Sequence, residues 1–132
     1  MKLQADRIEG QNAIARHGPG GVIVNGFEYR NSVIVAWAAG VQPWHVDGFA
    51  GLTEAHFSAL AALSPELVVF GSGSRLRFVH PALLKPLIER RIGVETMDTA
   101  AACRTYNVLL AEGRSVVAAL LFEAAPGTAP AA

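Results

Sequence analysis

Two short runs of this chain are apolar at nearly every position, and they limit the fold more than any other feature. Residues 67–70 read Leu-Val-Val-Phe, and residues 115–122 read Ser-Val-Val-Ala-Ala-Leu-Leu-Phe. A strand without polar side chains has to be covered on both faces, as the parallel strands of α/β proteins are. The chain therefore needs a buried sheet between two layers of other structure.

Helical segments alternate with these strands in the second half of the chain. The helices are predicted to follow the caps Thr53 and Asp98 and to begin at Pro81, a residue favoured at the first helical position. Pro86 should bend the second helix or delay its start. The helices are expected over residues 54–63, 81–92 and 99–112, with a further strand at 94–97. Such alternation predicts parallel pairing with right-handed crossovers.

The first half of the chain is predicted to form β-hairpins. Asn25-Gly26 lies between two apolar runs, and both residue types tolerate the positive φ angles of a two-residue turn. The predicted fold is a single three-layer α/β domain with a mixed central sheet, over residues 12–122. An extension at 1–11, whose order the sequence leaves open, precedes it, and a disordered tail at 123–132 follows. The hairpin strands are predicted at 12–16, 21–24, 27–29, 32–37 and 41–46.

The composition narrows the class of protein. The 132 residues suit one domain, and a net charge of zero gives no general attraction to nucleic acid or anionic membranes. The single cysteine, Cys103, excludes an intramolecular disulfide and a cysteine-based zinc site, and it suits a reducing compartment. The first residues lack the apolar core of a signal peptide, and no run is long enough to span a membrane. We therefore expect a cytoplasmic protein that is a monomer or a weak homodimer.

Motifs for catalysis, cofactors and metals are missing from the sequence. The four histidines show no metal-ligand spacing, and no serine–histidine–acid set is apparent. His45 and Asp47 fall on one side of an extended segment, as either a catalytic dyad or a surface pair. We expect no cofactor, no metal and no established catalytic residue, which favours a non-catalytic role.

A ligand-binding rim is predicted where the parallel strands end, because ligands gather beyond the carboxyl ends of such strands. Glycines allow close backbone approach, serine hydroxyls donate hydrogen bonds, and the guanidinium of Arg75 can pair with an anion. The alternative is that the two glycines form a turn with unusual φ angles and that Asp98 only caps a helix. The candidate residues are Gly71, Ser72, Gly73, Ser74, Arg75, Asp98 and Thr99.

The third helix is predicted to bury one face and expose the other. At 100° per residue, Cys103, Tyr106 and Leu110 share the face that should pack on the sheet, so the thiol is expected to be inert. The outer face is either a protein-contact surface or an ordinary exposed helix face, and Asn107 at its border can bind a neighbouring loop. The candidate contact residues are Arg104, Asn107, Val108 and Glu112.

The segment around this helix resembles one known family. Met97-Asp98-Thr99, followed by ACRTYNVLLAEGR over residues 102–114, is similar to the signature of the family that contains the mitochondrial NADH dehydrogenase (complex I) assembly factor three and uncharacterised bacterial proteins. Tyr29-Arg30-Asn31-Ser32, Trp44 and the strand at 93–99 agree with it. Gly71-Ser72-Gly73 resembles the family's Gly-Thr-Gly turn, with serine in place of the usual threonine.

This resemblance implies a compact three-layer α/β fold, which the reading of the residues also predicts, and it implies no catalytic residues. It favours a non-catalytic protein-binding or assembly module, linked to respiratory complex assembly, with an unidentified protein partner. The alternative is a small-ligand (anion) binder or an unrecognised enzyme that uses residues 71–75 and 98–99.

Overall fold

A computed structural model of the chain describes residues 10–38 and 40–123. The predicted extension lies almost wholly outside these residues, and so does the predicted tail except for Glu123. Along the chain, the strands and helices are β1 Ile14–Gly18, β2 Gly21–Val24, β3 Phe27–Tyr29, β4 Val33–Ala36, β5 Val41–Pro43, α1 Glu54–Ala61, β6 Leu67–Gly71, α2 Lys85–Glu89, β7 Gly93–Met97, α3 Thr99–Ala111 and β8 Val116–Leu120.

A five-stranded mixed sheet forms the middle layer, with strand order β5-β4-β8-β6-β7. Strand β6 lies between β7 and β8 and is parallel to both, so that Leu67 is level with Gly93 on one side and Val116 on the other. Strand β4 pairs antiparallel with β8 and β5. The predicted parallel pairing of the two segments at 67–70 and 94–97 is confirmed.

Both faces of this sheet are buried, as its apolar strands require. Helices α1 and α2 cover one face, where Phe57 and Leu87 pack against side chains such as Phe70 and Val117. Helix α3 and the N-terminal strands cover the other face, where Tyr106 packs among residues of β4, β6 and β8. The three-layer α/β fold is therefore confirmed, with helices on both sides of the sheet.

The N-terminal strands form a separate antiparallel sheet in the order β1-β2-β3. The predicted turn between β2 and β3 is present, with φ angles of 53° at Asn25 and 83° at Gly26. Strand β1 contains a register shift between Ile14 and Arg16. This sheet shares a layer with α3, and the predicted hairpins therefore complete that layer.

Two elements differ from the predicted boundaries. The predicted second helix is split into a 3-10 turn at Pro81–Leu84 and the short α2, which confirms that Pro86 delays the helix start. Strand β5 ends at Pro43, before the predicted end at residue 46, although the Trp44 N–H still donates to the Ser32 carbonyl at 2.9 Å.

Candidate functional site

The loops that follow β6 and β7 lie side by side at the carboxyl end of the parallel strands. The Thr99 N–H donates to the Gly73 carbonyl at 2.9 Å, and the Gly73 N–H donates to Thr99 Oγ1 at 2.9 Å. These two hydrogen bonds bring together the two segments from which the sequence predicts a ligand rim.

Thr99 also connects this pair of loops to the end of β8. Its hydroxyl donates to the Leu121 carbonyl at 2.9 Å, and its side chain is buried. One hydroxyl therefore satisfies a buried donor on one loop and a buried acceptor on another, and it joins the three segments that follow the parallel strands.

Helix α3 begins close to this edge because Gly71 has no side chain. A Cβ atom at Gly71 would lie 3.0 Å from the Thr99 Cα and 3.2 Å from the Ala102 Cβ. The expectation of an unusual φ angle at Gly71 is wrong, since it is a regular residue of β6, whereas Gly73 has φ of +106°. The two glycines thus serve different purposes, one for helix packing and one for the turn.

Ser72 belongs to the loop's internal hydrogen bonds. Its hydroxyl donates to the Arg75 carbonyl at 2.7 Å and accepts from the Arg77 N–H at 2.9 Å, and the residue is fully buried. The side chain of Ser72 therefore shapes the loop from inside, because it has no exposed atoms to offer a ligand.

Two charged residues that the sequence analysis did not select, Arg77 and Glu123, join the β6 loop to the segment after β8. Arg77 Nη2 donates to the Ser72 carbonyl and to Glu123 Oε1, both at 2.6 Å, and the guanidinium lies 4.5 Å above the Phe49 ring. Glu123 Oε2 accepts from the Phe49 N–H at 2.8 Å. Burial raises the pKa of Glu123, but these hydrogen bonds and the charges of Arg77 and Arg75 outweigh it and leave that pKa lowered.

A cavity of about 850 Å³ opens at this edge. Five of the seven predicted rim residues line this cavity, and the other two, Gly71 and Ser72, do not. The β1–β2 turn, the β6 loop, the start of α3 and the segment after β8 contribute its walls, which consist of His17, Gly18, Pro19, Gly73, Ser74, Arg75, Arg77, Asp98, Thr99, Ala100, Leu121, Phe122 and Glu123. Asp98 Oδ1 accepts from the Ala101 N–H at 2.8 Å, which confirms its predicted role as the cap of α3.

A second cavity, of about 1030 Å³, lies on the other side of Glu123 and contains His45 and Asp47. No hydrogen bond between these two side chains is present among residues 40–123, so the structure does not assemble the proposed dyad. Trp44 also lines this cavity, but it is 4% exposed and makes edge contacts with Phe57 and Phe70, as expected for a core residue.

The outer face of α3 is accessible at three of its four predicted contact positions. Arg104 and Glu112 are exposed, and Val108 is 58% exposed between them. The side chain of Asn107 is used internally, because its Oδ1 accepts from the Ile14 N–H at 2.9 Å and its Nδ2 donates to the Ile14 carbonyl at 2.8 Å. Asn107 therefore holds β1 against α3.

The inner face of α3 is as predicted, with Cys103, Tyr106 and Leu110 buried. The Tyr106 hydroxyl donates to the Asn12 carbonyl at 2.8 Å, and burial raises the pKa of this phenol. Burial also raises the pKa of the Cys103 thiol to about 12, with Arg104 opposing the shift, which supports an inert cysteine.

The described part of the chain has neither a metal-binding cluster nor a membrane-spanning helix. Residues 10–38 and 40–123 contain no cluster of three metal-binding side chains. Over the same residues, no helix is long and apolar enough to cross a membrane.

Comparisons with known proteins identify relatives along almost the whole described chain. The family described as "Protein of unknown function (DUF498/DUF598)" matches residues 14–121. The NADH dehydrogenase (ubiquinone) 1 alpha subcomplex assembly factor 3 of Mus musculus is 41% identical over 83 residues, which cover 61% of this chain and 45% of that protein. The match to the Bos taurus factor covers 55% of that protein. This chain therefore spans about half the length of these relatives.

Bacterial relatives match this chain over more of their length. A crystal structure of a protein from Bordetella parapertussis has 36% sequence identity and a TM-score of 0.82, and the match covers 89% of this chain and 100% of that one. A "13 kDa major membrane protein" of Francisella tularensis is 25% identical over 118 residues, which cover 88% of this chain and 95% of that protein. The resemblance predicted from residues 97–114 is thereby confirmed.

Proposed function

This chain belongs to the DUF498/DUF598 family, and on that premise we propose that it is a non-catalytic protein-binding module that assists the assembly of a larger complex. The outer face of α3, defined by Arg104, Val108 and Glu112, is the proposed contact surface. The observation that carries the proposal is the exposed Val108, which lies between two exposed charges of opposite sign.

The packing of the domain gives a role to several polar and small residues of α3, but it gives none to the residues of this face. Thr99 joins the loops, Ala102 packs near Gly71, and Asn107 binds β1. The side chains of Arg104 and Glu112 make no hydrogen bond or ion pair within the described ranges. An apolar residue flanked by unpaired charges is a common composition for a protein-contact surface, where the apolar centre gives affinity and the charges give orientation.

The names of the vertebrate relatives suggest what is assembled. Because those proteins are named as assembly factors of an NADH dehydrogenase, we propose that this chain assists assembly of the NADH dehydrogenase of its own organism. The family model matches residues 14–121, which contain α3 and therefore the proposed surface. We further propose a cytoplasmic monomer or weak homodimer, which the unpaired, buried Cys103 suits.

A complementation experiment tests this function. A strain that lacks the gene is supplied with the wild-type chain or with the Arg104→Glu, Val108→Asp variant, and assembled NADH dehydrogenase is measured on native gels. A matched control, Ile88→Asp with Arg91→Glu, makes the same charge changes at two other exposed positions. Ile88 lies in α2 and Arg91 follows this helix. We expect the wild type and the control to restore the assembled enzyme and the α3 variant to fail.

The purified variants must first show wild-type unfolding curves, which is expected because all four side chains are exposed. If the folded α3 variant restores assembly as well as the wild type, that face is not the contact surface. If the strain without the gene assembles normal amounts of NADH dehydrogenase, the link to this complex is wrong.

A further inference from the structure

The 850 Å³ cavity at the carboxyl edge of the sheet contains one cation, Arg75, whose charge acts on Glu123 without a close ion pair in the described residues. Arg77 is neutralised by Glu123 at 2.6 Å, and Asp98 is committed to capping α3. The side chain of Arg75 is exposed at the cavity wall and makes no hydrogen bond or ion pair with any residue of 10–38 or 40–123. The guanidinium of Arg75 is therefore available to an anionic group in the cavity.

Apolar side chains line the same cavity close to this cation. Pro19 comes from the β1–β2 turn, Ala100 from the first turn of α3, and Leu121 and Phe122 from the segment after β8. Small-molecule sites usually combine an apolar lining with a few polar groups that fix orientation, within volumes of about 300–1,000 Å³. A cavity of this size and lining suits a ligand with a hydrocarbon body.

The acidic residues restrict the charge of such a ligand. Asp98 and Glu123 lie on the same lining as Arg75, so a second negative charge would be repelled. Nucleoside polyphosphates are disfavoured for this reason, whereas a single carboxylate beside Arg75 is compatible with the lining.

We propose that this cavity binds a small organic monocarboxylate with an apolar body, whose carboxylate pairs with Arg75 while its hydrocarbon part lies against Pro19, Leu121 and Phe122. The cavity borders the outer face of α3, since Ala100 lies one turn before Arg104, but none of the proposed contact residues lines it. Binding requires no covalent step and no cofactor.

Benzoate is a suitable probe because it combines one carboxylate with an apolar ring. Titration of the 15N-labelled full chain with benzoate should shift the amide resonances of Gly73, Arg75 and Ala100 in a saturable way. Benzamide, which has the ring without the charge, and acetate, which has the charge without the ring, should bind about tenfold more weakly or worse, because each lacks one half of the recognition.

Two variants and one control locate the site. Arg75→Gln should weaken benzoate binding about tenfold or more, since it removes a charge-assisted hydrogen bond. Ala100→Trp should block binding by filling the cavity from an exposed helical position. The control Arg91→Gln removes an exposed arginine that follows α2 and does not line the cavity, so it should keep wild-type affinity.

The proposal is overturned if benzoate causes no saturable shifts, if benzamide binds as tightly as benzoate, or if Arg75→Gln retains wild-type affinity. It is also overturned if the folded Ala100→Trp variant still binds benzoate, because the ligand then lies elsewhere. The single contact-face variant Val108→Asp lies two helical turns from Ala100 and should bind benzoate normally, so failure of the assembly proposal leaves this result unchanged.

Discussion

Replacing Thr99 by valine exchanges one hydroxyl group for a methyl group, and this change should strongly destabilise the protein. The Thr99 hydroxyl accepts from the Gly73 N–H and donates to the Leu121 carbonyl, each at 2.9 Å, and the residue is 6% exposed. Valine has nearly the same shape and is also β-branched, so the helix backbone at this position is little affected. The change therefore removes two hydrogen bonds and leaves one buried donor and one buried acceptor without partners.

The magnitude follows from those two groups. An unsatisfied buried polar group costs about 1–3 kcal/mol, so the two groups left by Thr99→Val should lower the free energy of unfolding by about 2–6 kcal/mol. Small domains are stable by only about 5–15 kcal/mol, so this loss is a large fraction of the total. The Arg77–Glu123 ion pair still joins the β6 loop to the segment after β8, so the loss should be one of stability and not of the fold.

Urea unfolding curves of the wild type and the variant measure the change, with equal m-values as the sign that only stability differs. Hydrogen exchange of the Gly73 amide should become faster in the variant. The control is Thr105→Val, a half-buried threonine of the same helix whose hydroxyl bonds no described residue, and it should change stability by less than about 0.5 kcal/mol. A loss below about 1 kcal/mol for Thr99→Val, or one equal to that of Thr105→Val, would refute this reasoning.

Three further changes test other parts of the structure. The pKa of Glu123 is lower in the folded state than the usual value of 4.5. Its carboxylate therefore stabilises the protein at pH values above 4.5, and this contribution is lost as the pH falls through the folded pKa. The stability difference between wild type and Glu123→Gln, from urea curves at several pH values, should shrink over that acidic range, and a difference that grows would contradict the assignment. Gly71→Ala should lower the melting temperature, by the equivalent of about 1–3 kcal/mol, because its Cβ would lie 3.0 Å from Thr99, whereas Gly20→Ala meets nothing within 4 Å and should be neutral. Cys103 should react with iodoacetamide at pH 8 only at the rate of global unfolding, because its thiol has a pKa of about 12, and fast labelling of the folded protein would disprove its burial.

Local chemistry explains why much of the fold could be predicted from the sequence. The apolar run at 67–70 predicts a strand covered on both faces, Asn25-Gly26 predicts a hairpin turn, and Asp98 predicts a helix cap, and all three are present. Each of these signals depends on neighbouring residues only, because backbone conformation and burial pattern are set within one turn or one strand. Pro86 delayed α2 for the same local reason.

The site depends on contacts that no local pattern records. Arg77 and Glu123 are 46 residues apart, and nothing in either neighbourhood indicates that they pair across the end of the sheet. The border position of Asn107 predicts a hydrogen bond to a neighbouring segment, but not that the partner is Ile14, 93 residues away. Gly71 appeared suited to a turn, and its actual role is to let α3 approach the strand.

The amino-acid sequence alone determined the strands, turns and caps, the burial of the sheet on both faces, and the family to which the chain belongs, because these follow from the order of neighbouring residues. Only the tertiary structure decided which predicted rim residues reach a cavity, that Arg75 forms no hydrogen bond or ion pair within residues 10–38 and 40–123, and that the Asn107 amide is bonded to β1. Those outcomes depend on which distant side chains meet, and a side chain already bonded to one neighbour cannot bind another.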